Sequence, residues 1–407
     1  MSTSGQLQLV LDCLGVDDLT ALRRRQFGAA TALVVLIAGS LLRTAGPPAR
    51  GQAVVLGIGS PVQHGAEQAN LAAAALRGVG CDTWCDARLA RGLHGDARDF
   101  PSLSPFSLAR HVGPRDLWAA WSASRRGSRR PEGAARDCGP VEWLYLRLAQ
   151  AARLALAERR LEASGARLVV VDFDRGPAMA PLVVAAGNAG IPTATLVHGS
   201  PSKSYLPVLA DSVLAWSTVQ ADWFRAHGAG HAEVVGRLAA PRPAPAAGAT
   251  TWLVLSSKEA LSDAEVGRLL STIEDGRRLG HRTVLRLHPL QTAPLDAGWS
   301  RVASAVDSCV QLNADDWTTD CARAIGVSST AIIDALAAGC DVHVVADADR
   351  PLPVEIEWLR GQADDLRPVP EKSLATRGSL LPLDQHEAQK RLAMFGRRMV
   401  EEAQSGG

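Results

Sequence analysis

Short apolar strands alternate with helix-length segments along most of the chain, in two series separated by a proline-rich joint. That rhythm predicts an α/β protein of two doubly wound, Rossmann-like halves facing a central cleft. Three observations carry the prediction. Arg167 to Asp172 is a continuous apolar strand, as expected when both faces of a parallel sheet are covered. Pro241-Arg242-Pro243-Ala244-Pro245-Ala246-Ala247-Gly248 reads as a semi-rigid linker. A fresh strand series then begins at Trp252-Leu253-Val254-Leu255. The length of 407 residues exceeds one ordinary core and suits two or three domains of about 150 residues each.

Residues 1–50 read as a helical, apolar segment ending at Gly46-Pro47-Pro48. Within it Phe27 to Leu42 is apolar and follows Arg23-Arg24-Arg25. A spanning helix needs about 20 such residues. This run is shorter and holds Gly28 and Gly39, so a buried helix or strand is expected, with peripheral membrane association as the alternative. The first domain, 51–240, opens with the strand Ala53 to Ile58, a helix from about Ala66 to Leu76 and a strand Asp82 to Asp86. Residues 91–136 break the rhythm with Pro101, Pro105, Pro114 and the run Arg125-Arg126-Gly127-Ser128-Arg129-Arg130. They read as a long solvated excursion, or functionally as a lid over an acceptor.

A long helix follows from Val141 to about Ser164, and then the rhythm returns. A helix spans Ala178 to Asn188, with strands at Thr193 to Val197, Ser212 to Trp216 and Glu233 to Val235. After the linker, 241–249, the second domain occupies 250–382. It holds a helix Ser262 to Arg278, a strand Thr283 to Leu287, a strand near Val310, a strand Ala324 to Val327, a helix Ala331 to Leu336 and a strand Val342 to Val345. Residues 383–407 form a C-terminal helix.

Composition excludes several classes. A net charge of +1 gives no field that would favour nucleic acid. The seven cysteines are scattered and form no CxxC pair, so neither a disulfide framework nor a zinc site is expected and a cytoplasmic location is the default.

Four clusters at predicted strand ends could carry chemistry. Gly326-Val327-Ser328-Ser329-Thr330 runs from a strand into a helix, and three hydroxyls exceed what one N-cap requires, which suits phosphate. In Arg286-Leu287-His288-Pro289 the proline ends central pairing, and Arg286 and His288 share a side of the strand, as a diphosphate or phosphodiester would need. His198-Gly199-Ser200-Pro201-Ser202-Lys203 offers His198 as a base near neutral pH and Lys203 as a substrate contact. The turn after the first strand, with Gly59, His64, Glu67 and Gln68, is not GxGxxG and fits an acceptor pocket better than a dinucleotide site. Asp172 and Asp174, spaced to face one side, are a second source of a general base. Glu274-Asp275-Gly276 lies inside a predicted helix and reads as surface.

With these residues in view, the second half resembles the donor domain of GT-B transferases that build bacterial capsules and surface polysaccharides. His288-Pro289 resembles the HP motif of sialyltransferases, polysialyltransferases and Kdo transferases, and Ser328-Ser329 their SS motif. The HG segment with Ser200, Pro201 and Lys203 resembles teichoic-acid glycerophosphotransferases, in which the histidine matching His198 is the proposed base. The resemblance implies a GT-B fold and transfer from a nucleotide-activated donor, CMP- or CDP-linked, to a glycan or lipid-linked acceptor. It implies no cofactor and no metal. In place of the sialyltransferases' acidic-acidic-Gly motif stands only Asp172-Phe173-Asp174-Arg175-Gly176, which leaves the base open between His198 and Asp172 or Asp174. A non-hydrolysing nucleotide-sugar epimerase of the same fold and an inactive GT-B binding protein are the alternatives.

Overall fold

The computed structural model describes residues 3–13, 29–41, 51–59, 63–85, 92–93, 97–124, 139–240, 242–257, 259–288, 295–311, 317–359 and 384–405. Pro289, the side chain of His64 and the arginine runs at 23–25 and 125–130 lie outside the described residues.

Two helices, α1 (Thr3–Asp12) and α2 (Ala29–Leu41), precede the first sheet. That sheet is built from β1 (Val54–Ile58), β2 (Cys81–Cys85), β3 (Ala97–Asp99), β4 (Leu168–Val171), β5 (Thr193–Leu196), β6 (Ser212–Ala215) and β7 (His231–Val234). Its order is β3-β2-β1-β4-β5-β6-β7 and every pairing is parallel. The connecting helices are α3 (Gln63–Leu76), α4 (Pro105–His111), α5 (Pro114–Ser124), α6 (Pro140–Ser164), α7 (Ala180–Asn188) and α8 (Thr218–Ala226). The order reverses between β1 and β4, both buried along their whole length, as a strand covered on both faces must be.

The second sheet, β10-β9-β8-β11-β12, is also wholly parallel. It comprises β8 (Thr251–Leu255), β9 (Arg282–Leu287), β10 (Ser308–Gln311), β11 (Cys321–Gly326) and β12 (Asp341–Val344). Helices α9 (Asp263–Arg278), α10 (Ala297–Ala305) and α11 (Ala331–Ala338) connect them. Its own reversal lies between β8 and β11. The two doubly wound halves are thus the GT-B-like arrangement expected.

Helix α12 (Gln385–Ser405) does not stand apart as a C-terminal segment. Its Ala388, Leu392, Phe395 and Val400 join Val54, Leu56 and Leu76 in the core under the first sheet. Gly396 permits the approach, because a Cβ there would lie 2.6 Å from a methyl of Leu76. The chain therefore crosses back to the half in which it began. The linker is held to the second half, where the Thr318 hydroxyl donates to the Pro243 carbonyl at 2.6 Å and the Ala246 N–H to that of Thr319 at 2.7 Å.

The expected solvated excursion is, in its described part, an edge strand and two helices. Pro105 and Pro114 sit at the first helical position, where a missing N–H costs nothing. Tyr145 on α6 donates to the Leu103 carbonyl at 2.6 Å. The buried Arg153 donates to the Pro101 carbonyl at 2.9 Å and to those of Pro177 and Ala178, tying the excursion to the turn before α7. The apolar run in the first 50 residues becomes α2, which buries Ala32 and Leu36 but leaves Val34 and Ile37 exposed. No helix among the described residues is long and apolar enough to cross a membrane.

One apolar cluster joins the halves. Val197, Tyr205, Trp216 and Phe224 of the first pack with Leu255, Ile332, Ile333, Leu336 and Ile356 of the second. Phe224→Ala should cost about 3–5 kcal/mol. It should also lower a single calorimetric transition; two endotherms with only one displaced would mean that the halves unfold independently.

Candidate active site in the interdomain cleft

The carboxyl edges of both sheets open on the same cleft, which in the second half lies at the reversal between β8 and β11 and in the first half beside the ends of β5, β6 and β7. From the first half it is lined by Glu67 and Gln68 of α3, His198 after β5, Trp216 after β6 and Arg237 after β7. From the second come Ser256 after β8, Arg286 and His288 at the end of β9, and Ser329, Thr330 and Asp334 around the start of α11.

His198 is placed by its neighbours. Its Nδ1 lies 3.1 Å from the carbonyl oxygen of Asp172. A carbonyl only accepts, so this bond forms in the tautomer with the proton on Nδ1; the Tyr205 hydroxyl lies 3.4 Å from the same nitrogen. Phe173 and Tyr205 pack against the ring at centroid distances of 5.2 and 5.6 Å. Gln68 donates to the Val197 carbonyl at 3.0 Å and Trp216 Nε1 donates to the same oxygen at 2.6 Å, which fixes the strand end that presents the histidine.

Asp172 and Asp174 do not share the cleft. Asp172 is 1% exposed and accepts from the Gly59 N–H at 2.9 Å, pinning the end of β1 to the end of β4. Asp174 is fully enclosed and accepts from the N–H groups of Leu209 at 2.6 Å and Ala210 at 3.0 Å. Burial holds its carboxyl above the ordinary range, against those bonds and the charge of Arg175. The expectation that the pair faces one side fails because backbone amides on different loops claim each carboxylate. Gly59 is likewise a packing residue, since a Cβ there would lie 2.8 Å from Ala178 Cβ. Glu67 does reach the cleft, where it accepts from the Ala240 N–H at 2.6 Å. Lys203 is exposed on a short turn, Lys203–Tyr205, and does not line the cleft.

On the donor side expected from the sequence, Arg286 and His288 both line the cleft. The His288 N–H donates to Ser256 Oγ at 2.7 Å, which holds the strand end in place. Arg286 stacks its guanidinium 4.6 Å above the Trp317 ring. Its buried Nε and the indole N–H of Trp317 have no hydrogen-bond partner among the described residues. Desolvation, with repulsion from Arg242, brings the Arg286 pKa down to about 10.

The serine pair divides. Ser328 donates to Glu259 at 3.2 Å and lies off the cleft, while Ser329 and Thr330 line it. The α11 amides are less available than a bare helix start implies. Ala331 N–H donates to Ser329 Oγ, and those of Ile332 and Ile333 to the Ser329 and Thr330 carbonyls. Thr330 makes no capping bond with its side chain and stays exposed.

Sequence reasoning missed Arg237, Arg242 and Glu355. Arg237 pairs with Asp334 and stacks 4.7 Å above Trp216, so it bridges the halves. Burial first, then the charge of Arg242, lowers its pKa to about 10. Glu355, 1% exposed, accepts from Ser200 Oγ at 3.0 Å and from Gln220 Nε2, and Gln220 also donates to the Gly199 carbonyl at 3.2 Å. These bonds tie the loop bearing His198 to the second half. In an arginine-biased chain nothing local distinguishes Arg237, although its place at a strand end just before the linker is a usable signal. Among the described residues no three His, Cys, Asp or Glu side chains are grouped to hold a metal ion.

Glu355 gives a pH test. Burial raises its pKa despite bonds from Gln220 and Ser200 and the nearby charge of Arg237. A carboxyl raised on folding contributes stability below its unfolded value, about 4.3, and that contribution is lost as pH rises through the folded value. Glu355→Gln should therefore lose less thermal stability than the wild type as pH rises above about 4.3. Parallel Tm–pH curves would show that the folded chain does not perturb this carboxyl.

No family model matches the chain, and no curated protein does. Solved structures do match. UDP-GlcNAc 2-epimerase from Neisseria meningitidis bound to UDP-GlcNAc has 10% identity and a TM-score of 0.44, over 86% of this chain and 99% of that one. The Anabaena protein HepE in complex with UDP and glucose has 12% identity and a TM-score of 0.44, over 88% and 100%. A glycosyltransferase from Rickettsia africae has 11% identity and a TM-score of 0.43, over 86% and 93%. At such identities and scores the likeness carries no chemistry across to this chain.

Proposed function

We propose that the chain is a glycosyltransferase that moves a sugar or related group from a nucleotide-activated donor to a glycan or lipid-linked acceptor hydroxyl. The observation that carries this reading is one cleft lined by His198 from the first half and the desolvated Arg286 from the second, with Arg237 bridging the two walls through Asp334. Arg286 is held where burial and the charge of Arg242 both oppose its ionisation, whereas Arg237 already has Asp334 as its partner. A phosphate group relieves that opposition, because guanidinium forks match its oxygens. Positive charge fixed in advance also stabilises a departing nucleotide as its negative charge develops. His288, Ser329 and Thr330 are the polar contacts beside it. Nε2 of His198 takes the proton of the acceptor hydroxyl, with Asp172 orienting the ring through its backbone carbonyl rather than serving as a base.

The cytidine donor and the polysaccharide role follow from the short HP and SS resemblance alone. A thermal-shift panel of CMP, CDP, UDP and GDP tests the nucleotide, since a ligand of the folded state raises its stability. The nucleotide that shifts the wild type should bind Arg286→Met roughly 10- to 100-fold more weakly, the loss of one charge-assisted contact. His198→Ala should keep nucleotide binding and lose about 100- to 10,000-fold in transfer rate. Equal binding by Arg286→Met would remove the donor assignment. Incubating the sugar nucleotide without acceptor separates the epimerase reading, in which the donor is converted to its epimer, from transfer, which requires the acceptor.

A further inference from the structure

Helices α2, α4 and α5 pack together as a layer over α6, with their inner faces in one core that includes Leu36, Leu108, Val112, Ala120 and Trp143. The contact is close: a Cβ on Gly39 of α2 would lie 2.4 Å from Ala109 Cβ of α4. Each helix therefore turns its opposite side to solvent, and those sides are apolar. Trp118 is 72% exposed, Val34 63% and Phe106 48%, with Trp121 and Ile37 also exposed. Single exposed apolar residues are ordinary, but two tryptophans, a phenylalanine and two aliphatics on one helical layer are not.

The charge on this layer has one sign. Arg110 lies one turn from Phe106 and Arg115 one turn from Trp118, and both arginines are exposed. The only acidic residue in the three helices, Asp116, is buried, where it accepts two bonds from Arg159 at 2.9 and 3.0 Å.

From this we infer that the outer face of α2, α4 and α5 docks on an anionic lipid surface, lying on the bilayer without crossing it. Tryptophan and phenylalanine suit the headgroup level, and cations among them meet anionic lipid. A protein interface draws on the same tryptophan, phenylalanine and arginine, so a lipid-free dimer is the outcome that would decide for a second copy of the chain. The inference is independent of the donor assignment, because none of these residues lines the cleft.

The test is cosedimentation of the full chain with phosphatidylcholine vesicles, with and without about one third phosphatidylglycerol. Wild type should pellet with the anionic vesicles, and Trp118→Ser/Trp121→Ser should bind them at least about tenfold more weakly at unchanged Tm. Arg110→Gln/Arg115→Gln, which leaves the apolar residues in place, should weaken binding about fivefold per arginine on anionic vesicles only. Three results would overturn the inference: no binding by the wild type, binding unaffected by either pair, or a lipid-free dimer that the tryptophan pair dissociates.

Discussion

The cleft owes its shape to one apolar core that runs from Tyr205, Trp216 and Phe224 in the first half into Ile332, Ile333 and Leu336 in the second. Interfaces between domains of one chain are usually polar enough to slide. This one is closed by fully buried apolar side chains from both halves, and helix α12 returns from the end of the chain to pack with β1. The polar seam of Ser200, Gln220 and Glu355 then fixes the angle at which the loop of His198 meets the second sheet. Rigidity of that kind positions groups, and it also dries them. Burying Arg237 and Arg286 follows from joining two sheets edge to edge around a narrow gap.

Desolvated guanidiniums are costly unless something negative offsets them. Asp334 does this for Arg237, and the rings of Trp216 and Trp317 lie under the two arginines as weaker partners. Arg242 adds repulsion rather than relief. The charge of the cleft lies in these side chains more than in the start of α11, whose first amides are satisfied within their own turn.

The fold was legible because parallel strands covered on both faces leave unbroken apolar runs, as in β4 and β8. The described part of the excursion is helical because two of its prolines, Pro105 and Pro114, start helices rather than break them. Arg286 and His288 were legible from their place beside a proline at a strand end. Arg237 and Glu355 were not, because their significance comes from a partner in the other half, more than 90 residues away along the chain in each case. Asp172 and Asp174 were assigned together because residues two apart on a strand share a side. That rule ends where β4 ends, at Val171.

Asp172 nevertheless has a part in the site, by a different atom. Its carboxylate holds the Gly59 N–H and so closes the switch point of the first sheet. Its carbonyl oxygen faces His198 Nδ1. One residue thus locks the sheet edge through its carboxylate and meets the imidazole through its main-chain carbonyl, so the two contacts use different atoms and do not compete.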